Sequence, residues 1–308
     1  MKLKNKLKNI FVKEGFSGVI KRLYFYFLTS KEIRIIQHNK ATRKYILRLN
    51  DGLLSKVDSK SVFKESNNSD IIWFFWLQGI ERAPRLVQMC LYRLKELYPD
   101  KRVIVIDKNN LDKYVKFPSF ILEKKKLNQI SNTHFSDLLR LELLIKYGGT
   151  WIDSTVFCSS KADDLIFFNV PMFFLTADLR NDKSIGGSSW FLTSAPNNPV
   201  LILTRDLLYK YWNNNNKLDN YFLFHICFEI SLEKYPLIRK NIPPVSNVPS
   251  HLLAEIINDD FNNLNYKVLI ENSSFHKLSN KKNLQFDGHN NTYLTHIMDS
   301  IGFNDENN

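Results

Sequence analysis

The sequence has little cysteine. The chain of 308 residues contains three, Cys90, Cys158 and Cys227, which are far apart and lie in apolar surroundings. Neither a metal-binding cluster nor a disulfide framework has this spacing, so both kinds of site are excluded for these residues. We therefore predict three buried thiols in a reducing compartment. The sequence also lacks an internal repeat.

Long apolar runs are missing as well. The apolar stretch at residues 19–28 is interrupted by Lys21 and Arg22, and it is shorter than the about 20 apolar residues that cross a bilayer. No cleavage site of small residues follows it, so a cleaved signal peptide is not expected. The sequence therefore predicts neither a membrane-spanning helix nor a secretory leader at this position.

Outside residues 1–60 the sequence has almost no excess of positive charge. The net charge is +12, but residues 1–60 hold 15 Lys and Arg against 4 Asp and Glu, and the other 248 residues hold 28 against 27. A basic face on the folded body would be needed to bind nucleic acid. We therefore expect no nucleic-acid partner.

The basic segment at residues 1–60 has two interpretations. It is predicted to be helical, and it can form an amphipathic helix that lies on an anionic membrane surface. Alternatively, it is a helical extension that packs on the body and exposes a lysine face to solvent. In the first interpretation the apolar contacts with the membrane are Phe11, Phe16, Tyr24, Phe25 and Phe27.

The remaining composition predicts a folded body. Hydrophobic residues make up 44% of the chain and aromatic residues 13%, which is enough for a substantial core. A polar, turn-rich segment at residues 59–69 indicates a boundary. We predict a basic helical N-terminal extension at residues 1–69, a catalytic domain at residues 70–290, and a polar C-terminal tail at residues 291–308 that frays.

The body begins with a strand, helix and strand. Apolar runs at residues 71–77 and 102–106 flank a predicted helix at residues 85–98, an order that is typical of parallel strands in an α/β fold. Ligands of such sheets bind at the carboxyl ends of the strands. Here those ends are residues 77–79, Asp107 and Asp153.

The most informative stretch is residues 131–160. Ser136 is a suitable N-cap for a helix, and Asp137 would then lie in the first turn, where the helix dipole favours a negative charge. Gly148 and Gly149 are expected to end this helix. Residues 150–157 have the composition of one buried strand, which Asp153 interrupts.

A carboxylate inside an apolar strand has two interpretations. An unpaired charge is expensive to bury, so Asp153 is predicted to lie at the end of the strand, facing a ligand, a cation or a positive partner. Arg140 shares a helix face with Asp137 and could reach the same place. The alternative is a purely structural group, in which Asp137 caps the helix and Arg140 neutralises Asp153.

The pattern SDLLRLELLIKYGGTWIDST resembles the signature of the capsular polysaccharide synthesis glycosyltransferases. These are relatives of the GT-A sugar transferases, whose segment reads S-D-x-x-R and then G-G-x-[YW]-x-D-x-D. The likeness extends to residues 71–76, 79–84 and 102–107 and to His276-Lys277-Leu278, so it covers most of residues 70–280. It implies a GT-A-like nucleotide-binding sheet flanked by helices.

The resemblance also implies a divalent cation, Mn²⁺ or Mg²⁺. Asp153 matches the first aspartate of D-x-D, and Thr155 stands in the second position, where threonine is a weak ligand. His276 resembles the late histidine ligand, although a satisfied loop histidine is the alternative. Lys277 could pair with a phosphate of the donor. The predicted metal ligands are therefore Asp153, Thr155 and His276.

Donor-binding roles follow from the same resemblance. Asp137 and Arg140 match the positions that bind the donor sugar, by accepting hydroxyl hydrogen bonds and by fixing a carboxylate or phosphate. Trp76 and Gln78 fall where the base pocket begins, although an aromatic-rich strand is also typical of a core. Asp107 completes the predicted donor site, and the segment at residues 184–190 is predicted to form a lip over the donor or acceptor.

The function implied by the resemblance is transfer of a sugar from a nucleotide-sugar donor. The expected donor is a UDP-sugar, and the expected outcome is retention of the anomeric configuration. The acceptor would be lipid-linked or growing polysaccharide at the cytoplasmic face of a bacterial plasma membrane. Two alternatives stay open. One is a noncatalytic membrane-associated scaffold that lost metal binding at Thr155. The other is a toxin-like transferase that glycosylates proteins, which the missing secretion signal makes less favoured.

Overall fold

A five-stranded mixed sheet forms the centre of the computed structural model, which describes residues 29–63, 65, 69–177, 182–281, 284, 286 and 291–303. The sheet strands are β1 (Ile71–Phe75), β2 (Arg102–Ile106), β3 (Gly149–Ile152), β5 (Met172–Thr176) and β6 (Gly187–Ser194). A separate two-stranded sheet pairs β4 (Val156–Cys158) with β7 (Phe275–Lys277). The central order is β2-β1-β3-β6-β5, with β1 parallel to β2 and β3. The predicted α/β class and its parallel strands are confirmed.

Helices pack on both faces of the central sheet. The α-helices of the described residues, some of which pack on other helices or on the small sheet, are α1 (Lys31–Leu49), α2 (Asp51–Leu54), α3 (Arg85–Leu97), α4 (Leu111–Tyr114), α5 (Ser119–Lys126), α6 (Asn132–Tyr147), α7 (Asp164–Phe167), α8 (Pro199–Asn214), α9 (Leu223–Lys234), α10 (Pro236–Lys240), α11 (Val248–Ile256), α12 (Asn263–Asn272) and α13 (Tyr293–Ser300). Within the described part of the chain, no helix is both long and apolar enough to cross a membrane.

Strand β1 is buried on both faces, as its continuous apolar run predicts. Ile72 and Phe74 pack into the core beneath α3, whereas Trp73 and Phe75 pack into the core beneath α6, α8 and α9. The indole of Trp73 donates a hydrogen bond to the carbonyl of Gly148 at 2.8 Å. Each large apolar side chain that becomes fully buried contributes roughly 1.5–3 kcal/mol. Burial therefore places the end of β1, where the chain leaves the sheet, at a well-defined position.

Two glycines join α6 to β3, as predicted. Gly148 and Gly149 have φ angles of 66° and 93°, a region that glycine adopts more easily than other residues. A Cβ atom on Gly149 would lie 2.6 Å from the carbonyl oxygen of Ile71. The absence of a side chain thus allows α6 to turn directly into a strand that pairs with β1.

The start of α6 differs from the prediction. Its N-cap is Ser131, whose side chain accepts a hydrogen bond from the backbone N–H of His134 at 3.2 Å, and Ser136 lies inside the helix. The additional turn buries His134 and Phe135, which explains why the helix begins earlier. Asp137 is therefore not in the first turn, and the helix dipole does not account for its charge.

The strand predicted at residues 150–157 is two strands in different sheets. Strand β3 pairs with β1 and β6, whereas β4 pairs with β7. The chain turns between them, because the N–H of Asp153 donates to the carbonyl of Trp190 at 2.8 Å and the N–H of Val156 donates to the carbonyl of Asp153 at 3.0 Å. This turn moves the Asp153 side chain out of the sheet.

The N-terminal extension is described from residue 29. Helix α1 packs on α9, and Asn220 donates hydrogen bonds to Asn39 at 2.9 Å and to Thr42 at 3.0 Å in a buried network. Residues 31–49 thus pack on the body, as the second interpretation of this segment proposes. The membrane-binding aromatic residues predicted between positions 11 and 27 lie outside the described residues, so that part stays a prediction.

The C-terminal segment differs from the prediction that it frays. Residues 293–300 form α13, which begins at a capping box formed by Thr292 and Thr295. Leu294 and Ile297 are fully buried against the core that includes α3. Apolar residues at helical spacing bury one face of the helix, and this outweighs the polar composition of the surrounding sequence.

Candidate active site

A cavity of about 730 Å³ lies at the carboxyl ends of β1 and β3. This is the edge of an α/β sheet at which ligands are expected to bind. The predicted site residues that line it are Trp76, Gln78, Asp137, Arg140, Asp153, Thr155 and Lys277. Two other predicted residues, Asp107 and His276, do not line it.

Four charged side chains form a continuous chain of ion pairs in this cavity. We call Asp137, Arg140, Asp153 and Lys277 the charged cluster. The guanidinium of Arg140 lies 2.6 Å from Asp137 and 3.0 Å from Asp153. The ammonium of Lys277 lies 2.9 Å from the other oxygen of Asp153 and donates to the hydroxyl of Thr155 at 2.7 Å. The two carboxylates and two cations balance in charge.

Asp153 is held in its ionised form. Burial by itself raises the pKa of this carboxyl, but attraction to Lys277 and Arg140 and a hydrogen bond from the Trp151 indole outweigh it. The net result is a pKa well below the ordinary value. The indole donates to the same oxygen that Arg140 contacts, at 2.7 Å. About a quarter of the side chain, 24%, is exposed, so Asp153 also faces the cavity.

Arg140 is the most deeply buried member of the charged cluster. Only 2% of the residue is exposed, and its guanidinium lies 4.8 Å from the ring centroid of Trp151 and 5.3 Å from that of Phe224. Arg140 lies on α6, and its ion pair with Asp153 connects this helix to the turn after β3. The ion pair between Arg140 and Asp153 that the sequence suggested is therefore present, and both residues also line the cavity.

Two histidines interact electrostatically with Asp137. The Nδ1 atom of His134 is 3.3 Å from its carboxylate, and the pKa of Asp137 is lowered because His134 and Arg140 together outweigh the effect of burial. Burial lowers the pKa of His225 to about 4, although Asp137 opposes the shift, so His225 is neutral near pH 7. His225 lines the cavity and was missed, because a lone histidine in an apolar helix carries no distinguishing sequence signal.

Aromatic residues form further parts of the cavity wall. Trp76 is half-buried against the core beneath α3 and also lines the cavity, so it contributes to the core, and its predicted place beside the donor base stays a prediction. Tyr221, 64% exposed, lines the cavity from the segment just before α9 and was not predicted. Residues 185 and 187–190 of the predicted lip also line it.

Asp107 is placed outside the cavity wall. It follows β2, as predicted, but its carboxylate accepts hydrogen bonds from the backbone N–H groups of Asn109 at 2.8 Å and Asn110 at 3.1 Å. Short polar side chains often close the turn that follows a strand in this way. The carboxylate therefore stabilises its own turn, and the geometry does not support the predicted donor contact.

His276 points away from Asp153. It is fully buried, its ring lies 6.3 Å from that of Phe157, and its Nε2 atom lies 3.1 Å from the hydroxyl of Ser159. Adjacent residues of a strand point to opposite faces, so β7 directs Lys277 to the cavity and His276 to the core. Burial lowers the pKa of His276 to about 4.

The three predicted metal ligands are therefore not brought together as a set, because Asp153 and Thr155 lie close to each other but His276 does not join them. Asp153 already accepts hydrogen bonds from three donors, Thr155 accepts one from Lys277, and His276 faces elsewhere. Within the described residues, no group of three or more His, Cys, Asp or Glu side chains could hold a metal ion. The residues present do not fit the divalent cation that the resemblance implied.

Comparisons with known proteins find chains that are similar to this one. The protein is 23% identical over 189 residues to the O-glycosyltransferase braB of Annulohypoxylon truncatum, a match that covers 56% of this chain and 45% of that protein. Among solved structures, the PaToxG glycosyltransferase is 15% identical with a TM-score of 0.40, and the match covers 66% of this chain and 80% of that one. A mutant transferase is 12% identical with a TM-score of 0.36, covering 59% of this chain and 92% of that one.

One protein family matches nearly the whole sequence. It is described as "Capsular polysaccharide synthesis protein", and the match runs from residue 22 to residue 297. This range includes every residue of the charged cluster and all the strands of both sheets. The chain therefore belongs to the family of capsular polysaccharide synthesis proteins.

Proposed function

We propose that this protein is a glycosyltransferase that moves a sugar from a nucleoside diphosphate sugar to a hydroxyl group of a surface polysaccharide. The observation that carries the proposal is the charged cluster, which lies in a cavity at the carboxyl ends of β1 and β3. The cavity volume of about 730 Å³ is in the range of small-molecule sites. Family membership and the likeness to an O-glycosyltransferase support the same reaction class.

The charged cluster has three proposed roles: the two carboxylates share one, and each cation has its own. Asp137 and Asp153 accept hydrogen bonds from donor hydroxyl groups, because ionised carboxylates are strong acceptors. Arg140 is a positioning residue, since it is almost fully buried and holds both carboxylates. Lys277 is 22% exposed and lies where it can contact an anionic part of the donor. Fixed charges of this kind stabilise a departing diphosphate without reorganisation during the reaction.

The donor and the stereochemistry are finer parts of the proposal. We propose a UDP-sugar, with Trp76 and Gln78 beside the base, and transfer with retention of the anomeric configuration, both on the family resemblance. Full-length protein incubated with a panel of UDP-, GDP- and dTDP-sugars should release nucleoside diphosphate from one donor. NMR of the product formed on a polysaccharide acceptor then gives the anomeric configuration.

A negative result from this panel would have a clear meaning. A bound donor stabilises the native state by about 2.7 kcal/mol at a concentration of 100 times its dissociation constant, so binding is detectable as a higher melting temperature. A donor that binds but is neither hydrolysed nor transferred would contradict the transferase and favour the scaffold. Inverted product would contradict retention alone.

We further propose that the acceptor is lipid-linked or growing polysaccharide at the inner face of the plasma membrane, and that the basic segment at residues 1–60 contacts the anionic surface through residues 1–28. The support is the excess of positive charge in residues 1–60, 15 Lys and Arg against 4 Asp and Glu, of which residues 1–28 hold 7 against 1. Each basic residue near such a surface contributes on the order of 1 kcal/mol. Removing residues 1–28 should therefore weaken co-sedimentation with phosphatidylserine vesicles. Equal sedimentation of the truncated and full-length proteins would exclude this location for that segment.

A further inference from the structure

The position that a divalent cation would take in a D-x-D site is filled by a side chain of this protein. A cation between the first and third residues of that motif would contact Asp153 and Thr155. The ammonium of Lys277 makes both of these contacts, at 2.9 Å to the carboxylate and 2.7 Å to the hydroxyl. Thr155 is a weak metal ligand, but its hydroxyl oxygen is a suitable partner for an ammonium group. An ammonium group needs hydrogen-bond acceptors, and these can be neutral.

The register of the small sheet determines which residue reaches this position. Val156 pairs with Lys277 and Phe157 pairs with His276, and the N–H of Leu278 donates to the carbonyl of Thr155 at 2.9 Å. Moving His276 to the cavity would require a one-residue shift, which would turn every side chain of β7 to the opposite face. The fully buried environment of His276 and Phe275 opposes such a shift.

The charged cluster leaves Lys277 able to bind an anion. The guanidinium of Arg140 is buried and pairs with two carboxylates. The ammonium of Lys277 pairs with one carboxylate and is partly exposed to the cavity. An ammonium group has three N–H donors. Two are used by Asp153 and Thr155, and within the described residues the third has no further partner. Lys281 lines the same wall four residues later and adds a second positive charge.

We propose that Lys277 binds the diphosphate of a nucleoside diphosphate donor in the place of a divalent metal ion. The inference rests on the proposed function, because it assumes a nucleotide-sugar donor. Lys277 contributes a fixed positive charge that Asp153 and Thr155 orient. Donor binding is therefore independent of divalent cations, although the family resemblance predicted Mn²⁺ or Mg²⁺.

Equilibrium binding of UDP to the full-length protein, measured by isothermal titration calorimetry, tests this inference. The wild-type dissociation constant should agree within about twofold between buffer with EDTA and buffer with Mn²⁺. Lys277→Met removes the charge and keeps much of the side-chain volume. Because hydrogen bonds to charged groups are stronger than neutral ones, it should raise the dissociation constant in EDTA about 10- to 100-fold.

Lys101→Met is the matched control. Lys101 is also a largely buried lysine, 8% exposed, that pairs with a carboxylate, Asp164 at 3.2 Å, but it does not line the cavity. It should bind UDP as the wild type does. Circular dichroism of both variants detects misfolding, and the wild-type comparison of EDTA with Mn²⁺ still tests whether binding is independent of a divalent cation if Lys277→Met does not fold.

The outcomes separate this inference from the proposed function. Wild-type binding that disappears in EDTA and returns with Mn²⁺ would overturn the inference but keep the transferase. Unchanged affinity of a folded Lys277→Met protein in EDTA would also overturn it. If neither UDP nor GDP nor dTDP binds the wild type in either buffer, the proposed function itself is wrong, and the inference falls with it.

Discussion

Asp153→Asn is expected to lower the rate of sugar transfer by about 100-fold or more, with the fold retained. Asparagine keeps an oxygen that can accept the hydrogen bond from Trp151, but it removes the charge that holds Arg140 and Lys277 in place. Losing one preorganised electrostatic contact at a reacting centre typically costs 100- to 1,000-fold in rate, or about 2.7–4 kcal/mol. Steady-state turnover with the donor identified in the panel measures the effect.

Asp107→Asn is the matched control for this substitution. Both carboxylates follow a strand of the central sheet, β2 for Asp107 and β3 for Asp153, but only Asp153 lines the cavity. We expect Asp107→Asn to retain near-normal turnover. Normal turnover of Asp153→Asn would show that Asp153 is only structural, and an equal loss in both variants would mean that the donor extends to the turn after β2.

Arg140→Ala is expected to destabilise the folded protein by about 3–5 kcal/mol, because it leaves Asp137 and Asp153 without the buried cation that pairs with both. The melting temperature should fall by at least roughly 6 °C. Lost packing against the rings of Trp151 and Phe224 contributes in the same direction. Calorimetric unfolding measures the change.

The pH dependence separates the charge effect from the packing effect. In the wild type the pKa values of Asp137 and Asp153 are lowered, so their stabilisation is present above the unfolded pKa of about 3.9 and is lost as the pH falls through the folded values. Without Arg140, burial penalises the charged carboxylates, and protonation relieves that penalty. The stability difference between wild type and Arg140→Ala should therefore be smaller at pH 4 than at pH 7.

Arg102→Ala is the control for Arg140→Ala. Arg102 also pairs with an aspartate, Asp70 at 2.9 Å, but its side chain is 64% exposed. Exposed ion pairs contribute little to stability, so we expect almost no change in melting temperature. Two results would contradict the role assigned to the charged cluster. One is a decrease in melting temperature for Arg140→Ala that is no larger than the decrease for Arg102→Ala. The other is a loss of stability in Arg140→Ala that does not depend on pH.

Much of the candidate site was predictable from local sequence. The apolar run of β1 and the glycine pair after α6 predicted buried elements whose ends meet at one edge of the sheet. A lone carboxylate in an apolar segment predicted that Asp153 would lie at such an end. Burial free energy and glycine conformation depend on a residue and its immediate neighbours, so the sequence carries this information directly.

Local patterns were ambiguous where two positions suited the same role. Ser131 and Ser136 are both acceptable N-caps, and the choice of Ser131 depends on burying His134 and Phe135 in the surrounding core. Residues 150–157 have one strand-like composition, but their partners belong to two sheets. The C-terminal helix was missed because its polar flanks obscured a face that the core buries.

By itself, the sequence determined the α/β class, the absence of excess charge on the body, and the position of Asp153 at a strand end within reach of Arg140. Only the tertiary structure decided that Lys277, and not the adjacent His276, contacts Asp153. The two contacting residues are 124 positions apart in the chain. Which neighbour faces the cavity depends on the register between β4 and β7, and a shift of one residue would exchange the two side chains.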